Sequence, residues 1–249
     1  MKITISSGHG KLVRGAKGLI DEVDEARRVT NKVAEILSKA EVSVTAFHEN
    51  TARTQGDNVN TIVRFHNSQQ RDLDVSIHFN STASGKIEDR AIGVEVLHRA
   101  GNHKTQALAG QVARAISAAS GLLLRHPQNS GAVARSNLGF LNNTSAAAIL
   151  IEVCFVVSRV DVGLYQQYFN EICYAIASAI SGHELVQQGA TPPTAALQNI
   201  MPSSWAREAW EWGVANGLTD GTNPHGSATR EQMLTALHRF HKLSKIKAD

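Results

Sequence analysis

Leu73-Asp74-Val75-Ser76-Ile77 is an apolar run of strand length, and it delivers His78 in the sequence Ser76-Ile77-His78-Phe79-Asn80. The same device occurs twice more. The opening Met1-Lys2-Ile3-Thr4-Ile5 leads through Ser6-Ser7-Gly8 to His9 and Gly10, and Ala147-Ala148-Ile149-Leu150-Ile151 leads to Glu152. Short, mostly apolar runs of this kind read as buried parallel strands. Ligands of an open α/β sheet bind outside the carboxyl ends of such strands. Two imidazoles and a carboxylate released at one sheet edge are ligand and catalytic types for zinc.

Outward from these runs, strand-length and helix-period segments alternate. Strands are expected at 2–6, 42–47, 72–78, 93–98 and 149–153, and helices at 22–39, 58–70, 105–120 and 164–181. The alternation predicts an α/β fold, a mostly parallel twisted sheet flanked by helices. Residues 121–143, rich in Gly, Asn, Arg and Ser, read as a long loop over the catalytic edge with room for a short strand. A catalytic domain is expected over 1–183 and a linker over 184–197, where Thr191-Pro192-Pro193-Thr194 breaks the apolar period. A small helical module is expected over 198–249, with helices at 206–216 and 230–243. All three tryptophans, Trp205, Trp210 and Trp212, crowd into its start.

The 249 residues suffice for one core of ordinary size and a small second domain. A formal charge of only +3, without an Arg/Lys cluster interleaved with aromatics, speaks against nucleic acid as partner. Weak basicity suits an anionic wall polymer or a simple solubility margin. Cys154 and Cys173, the only cysteines, lie in apolar contexts and read as buried thiols, not as a metal pattern or disulfide. No stretch approaches the length needed to span a bilayer, and the start is too short and polar for a signal peptide. The expectation is synthesis in the cytoplasm, with release needed for any action outside it.

The third metal ligand is expected from Glu22 or Glu25, at the start of the first helix. On a helical wheel Ala26, Val29, Val33, Ile36 and Leu37 form one stripe; Glu22 projects near its middle and Glu25 toward its edge. A carboxylate aimed at the core needs a partner, and a dication is a good one. Glu22 is therefore chosen, and Glu25 is read as complementing the helix macrodipole. Glu152, after three apolar residues, is either a fourth ligand closing the site or the general base that activates water at an open metal position. The base is preferred. His48, His66, His98, His103, His126 and His183 are read as structural or exposed.

Ser7-Gly8-His9-Gly10, a Glu at the next helix start, Ser76-Ile77-His78-Phe79-Asn80, Gly93-Val94-Glu95 and Ile149-Leu150-Ile151-Glu152-Val153 together resemble the zinc N-acetylmuramoyl-L-alanine amidases of the Amidase_3 type. The resemblance covers roughly residues 1–181. It implies one zinc ion held by His9, Glu22 and His78, with Glu152 as the catalytic glutamate. The implied reaction cleaves the amide between N-acetylmuramic acid and the L-alanine of the peptidoglycan stem. Ser-Ser-Gly-His-Gly-Lys departs from the family's usual Asp-Pro-Gly-His-Gly-Gly, and Cys154 intrudes before Phe155. The first departure points to a phage-lysin branch that acts in host lysis.

The C-terminal part resembles, more weakly, a single S-layer homology motif, through Ser203-Ser204-Trp205-Ala206, 215–222 and 228–232. Such modules bind secondary wall polymers, so Trp205 and Arg230 are the side chains expected to bind polymer. One copy offers little surface, so a homo-oligomer through this region is expected. Two rival readings use the same residues: a zinc peptidase cutting within the stem peptide, and a catalytically inactive wall-binding protein.

Overall fold

The computed structural model describes residues 1–186, 206–219 and 230–246. The chain divides into two compact units, Met1–Ala190 and Thr191–Asp249. The first carries a six-stranded sheet of β1 (Lys2–Ser7), β2 (Ser43–Phe47), β3 (Leu73–Asn80), β4 (Glu95–Arg99), β5 (Ala132–Arg135) and β6 (Ala147–Phe155), in the order β2-β1-β3-β6-β4-β5. Four of the five pairings are parallel; β4 runs antiparallel to β6, so β4 and β5 oppose the other four strands.

Helices α1 (Glu22–Lys39), α2 (Gln55–Ser68), α3 (His103–Ser120), α4 (Gly139–Asn143), α5 (Arg159–Gln167) and α6 (Phe169–Ser181) cover both faces of the sheet. Asp21 caps α1, its carboxylate accepting the Val23 N–H at 3.1 Å. The stripe Val23, Ala26, Val29, Val33, Ile36 and Leu37 is buried, as the wheel requires. From Ala26 onward it belongs to one large core with Ile3, Ile5, Val75, Ile77, Ile149 and Ile151. A smaller cluster, with Ile62, Phe140 and Leu150, lies under α2 and α4. Polar residues also line that side: His66 of α2 bonds the Asp74 carboxylate at 2.8 Å and the Ser6 hydroxyl at 3.0 Å, with Arg71 on the same carboxylate at 2.9 Å.

Several boundaries differ from expectation, each for a local reason. Helix α2 starts one turn early because Thr54 caps it by accepting the Asp57 N–H. The expected 164–181 helix is two: Ser158 caps an earlier start, and Tyr168 leaves helical geometry between α5 and α6. The loop at 121–143 holds a 3₁₀ turn, β5 and α4. His9 lies two residues past β1, while His78 and Glu152 lie inside β3 and β6. They reach the cleft by pointing off the sheet face, not by standing at a strand's last residue.

Asp161, at the start of α5, is fully buried and accepts the backbone N–H groups of Ile92 (3.0 Å), Gly93 (2.8 Å) and Phe155 (3.3 Å). It thereby ties the approach to β4 to the end of β6.

In the second unit, α7 (Arg207–Ala215) and α8 (Arg230–Ile246) are helical, and Trp212 meets Phe240 edge-on at 6.1 Å. Most of the expected linker, and Trp205, lie outside the described residues. Arg230 opens α8 and is exposed. No helix among the described residues is long and apolar enough to cross a membrane.

Candidate active site

Parallel pairing sets β1 beside β3 and β3 beside β6, with Ser7 opposite Ile77 and His78 opposite Glu152. The backbone leaves β1 through Gly8, whose N–H still bonds the Ile77 carbonyl at 2.9 Å. A Cβ on Gly8 would stand 1.7 Å from His78 Nε2, so only glycine lets the two strands bring their imidazoles together. The rings of His9 and His78 lie 5.1 Å apart at 79°.

Helix α1 supplies the carboxylate between them. Glu22 is buried, with Oε1 2.9 Å from His78 Nδ1 and 3.6 Å from His9 Nε2. The Phe79 N–H donates to Oε1 at 3.1 Å and the Ala16 N–H to Oε2 at 2.5 Å, which fixes the side chain. One ligand atom from each of His9, Glu22 and His78 lies within 4.8 Å of the other two. This donor set, two imidazoles and one carboxylate, fits a zinc ion of the catalytic type.

Electrostatics fit the same reading. Burial works against the charge on Glu22, yet the His78 partner outweighs it and holds the carboxyl below its usual range. His78 is raised despite burial, through the Glu22 bond and charge. His9 is lowered, by burial first and then by His78. Its Nδ1 is buried without a protein partner.

Glu152 is different in kind. Burial, with the charges of Glu22 and Glu95 adding to it, pushes its carboxyl up to about 7, against the pull of His78 and Arg135. Its Oε2 is buried with no protein partner. A carboxyl that titrates near neutrality beside a three-ligand cluster has the character of a general base.

Glu25, read from sequence as a macrodipole complement, has more specific work. It accepts the Tyr165 hydroxyl at 2.6 Å and the Arg28 guanidinium at 2.6 Å, tying α1 to α5.

Sequence reasoning gave no role to a second polar cluster beside Glu152. Glu95 is the antiparallel partner of Glu152 and is buried. Asn80 Nδ2 donates to its Oε1 at 3.0 Å, Arg125 Nε to its Oε2 at 2.8 Å, and His126 Nε2 lies 3.3 Å from Oε2. The signal was present: a glutamate between Val94 and Val96 needs a partner for the reason that Glu152 does. An apolar recess of about 80 Å³, walled by Val59, Ile62, Leu138, Phe140 and Leu150, borders His78.

The family profile of N-acetylmuramoyl-L-alanine amidases matches residues 3–182. The chain belongs to that amidase family. An uncharacterized 38.4 kDa protein of Clostridium perfringens is 32% identical over 186 residues, 72% of this chain and 51% of its own length. This amidase-family chain thus spans about half the length of the curated relatives it matches. Among solved structures, the catalytic domain of the CD27L endolysin targeting Clostridia difficile superposes with a TM-score of 0.64 at 21% identity, over 75% of this chain and 99% of that one. The N-acetylmuramoyl-L-alanine amidase AmiC2 of Nostoc punctiforme gives a TM-score of 0.58 at 25% identity, over 73% and 96%. The mostly parallel sheet flanked by helices is the amidase fold.

Proposed function

We propose that this chain hydrolyses the amide between N-acetylmuramic acid and the L-alanine of the peptidoglycan stem, with one zinc ion held by His9, Glu22 and His78 and with Glu152 as general base. When bound, the ion supplies Lewis acidity that brings the pKa of water toward neutrality and polarises the scissile carbonyl. Glu152 takes the proton of the attacking water on its free Oε2. It then delivers that proton to the amine nitrogen of L-alanine as the C–N bond breaks. Glu22, immobilised by the backbone N–H groups of Phe79 and Ala16, keeps both imidazoles aimed at one point. The single observation that carries the reading is the convergence of His9, Glu22 and His78 one strand away from the unpartnered Glu152 oxygen.

The residues beyond the catalytic unit serve, in this reading, to hold the enzyme on the wall, with Trp205 and Arg230 binding a secondary polymer. Self-association through this region is supported by the exposed Met233, Leu234, Leu237 and Phe240 of α8. A lytic role, as in a phage lysin, accords with the Ser-Ser-Gly-His-Gly-Lys form of the first motif.

Metal analysis paired with digestion of purified walls tests the proposal. One zinc per chain is expected, and products carrying an intact lactyl acid and a free L-alanine amine. New amines within the stem would make the enzyme a peptidase. Full activity in chelator-stripped protein would remove the metal from the mechanism.

A further inference from the structure

The cluster around Glu95 supplies neither a metal ligand nor the base, acting on Glu152 only through the Glu95 charge, yet its assembly is elaborate. Gly93 adopts φ +104°, and a Cβ there would meet the Leu123 carbonyl oxygen at 1.9 Å. This lets residues 123–125 lie against the approach to β4, with Val94 N–H on the Leu123 carbonyl and Arg125 N–H on the Val94 carbonyl. The β3–β6 register shifts after His78, so that Asn80 stands opposite Phe155. The Arg125 guanidinium then lies over the Phe155 ring, 4.7 Å from its centroid.

Arg125 is the permanent cation that neutralises Glu95, while Asn80 serves one oxygen and His126 shares the other with Arg125. Only its Nε is spent on that pairing. Arg125 engages edge-on through Nε alone, without the two-bond fork that a pure ion pair would favour. Its four Nη hydrogens have no acceptor among the described residues, and the side chain is 29% exposed. Fixed at Nε and supported on an aromatic face, it presents a pre-oriented fork matched to a carboxylate.

We propose that Arg125 is the recognition residue for a carboxylate of the stem peptide, the α-carboxylate of the γ-linked D-glutamate that follows L-alanine. The inference rests on the amidase reading above. Glu95 stands directly across from Glu152, about one strand spacing or roughly 5 Å away, and Arg125 Nε lies 2.8 Å from the Glu95 carboxylate, so Arg125 reaches the neighbourhood of the base through Glu95. The D-glutamate α-carboxylate lies about 6 Å from the scissile nitrogen along an extended stem. Arg125 binds substrate, and Glu95, Asn80 and Phe155 are positioning residues that act through it.

The test uses zinc-loaded full-length protein and two soluble muropeptides that differ only in a free or an amidated α-carboxyl on the second residue. Steady-state kinetics and equilibrium binding are measured for the natural chain, Arg125→Lys and Arg125→Gln. Amidation is expected to lower kcat/KM of the natural chain about tenfold or more, the scale of a hydrogen bond to a charged group. Arg125→Gln is expected to treat both substrates alike, having lost affinity for the free acid through KM with kcat retained; Arg125→Lys keeps part of the preference. Equal use of both substrates by the natural chain overturns the proposal, as does an Arg125→Gln loss that falls equally on both. If nothing is cleaved but the free acid still binds more tightly through Arg125, the amidase reading fails and carboxylate recognition stands.

Discussion

Glu152 stands directly opposite His78 across the β3–β6 pairing, yet the two do not bond: His78 gives its Nδ1 to Glu22, and Glu152 Oε2 is left buried without a protein partner. One strand therefore carries a committed ligand type and its neighbour an uncommitted acid–base group, which is the division of labour that a metal hydrolase requires.

Replacing Glu152 by Gln is expected to preserve the fold and the zinc while lowering kcat by about 10²–10⁴, the usual contribution of a general base. Loss of zinc in that variant, read by metal analysis, would make Glu152 a ligand instead. A pH effect accompanies it. The folded carboxyl is raised from 4.5 to about 7, so its contribution to stability is full below the unfolded value and is lost as pH rises through about 7. Metal-free natural protein should lose stability on the order of 3 kcal/mol from this group between pH 4.5 and 8. Glu152→Gln should lack that loss, in melting curves recorded at both pH values.

Glu22→Gln should weaken zinc binding strongly, whereas Glu25→Gln should leave it unchanged. The second variant loosens the bond from the Tyr165 hydroxyl and should cost about 1 kcal/mol of folding stability. Metal titration and urea unfolding of the two proteins separate these outcomes; equal zinc affinities would refute the assignment of Glu22.

Asp74→Ala should be among the most damaging changes away from the cleft, because it strands His66 and Arg71 beneath α2. Breaking a buried ionic network costs about 3–5 kcal/mol. Burial disfavours the Asp74 charge, but His66 and Arg71 outweigh it and hold the carboxyl low. Its contribution is therefore present above the unfolded carboxylate pKa and is lost as pH falls through the folded one. Urea midpoints at neutral and acid pH check both statements.

A chain ending near Gly189 should still fold and hydrolyse soluble muropeptide, since every group invoked in the chemistry precedes that point. Co-sedimentation with intact walls should fall relative to the full chain. Indistinguishable sedimentation would leave the last sixty or so residues without an anchoring role.

The sheet and its principal helices were legible because their apolar periods are unambiguous. Helix α1 is expected over 22–39 and found there, because the stripe from Ala26 through Leu37 leaves no other phase. Glu22 could be singled out by the same geometry. Arg125 could not, since it lies in a Gly- and Asn-rich segment without a period, and its place depends on Gly93 and on a register shift in β6. Pairings made across long sequence distances, such as Tyr165 with Glu25, have no local trace either. What a sequence shows least is how far apart its parts will finally stand.

The carboxylate of Asp161 holds three backbone amides drawn from the entry to β4 and the exit of β6. These are the two banks of the cleft on the side of Glu95 and Phe155. The banks cannot breathe separately: releasing one strands part of the same buried acceptor. In deuterated solvent the amide protons of Ile92, Gly93 and Phe155 should accordingly wash out as one event, at a single rate set by the opening of the whole rim.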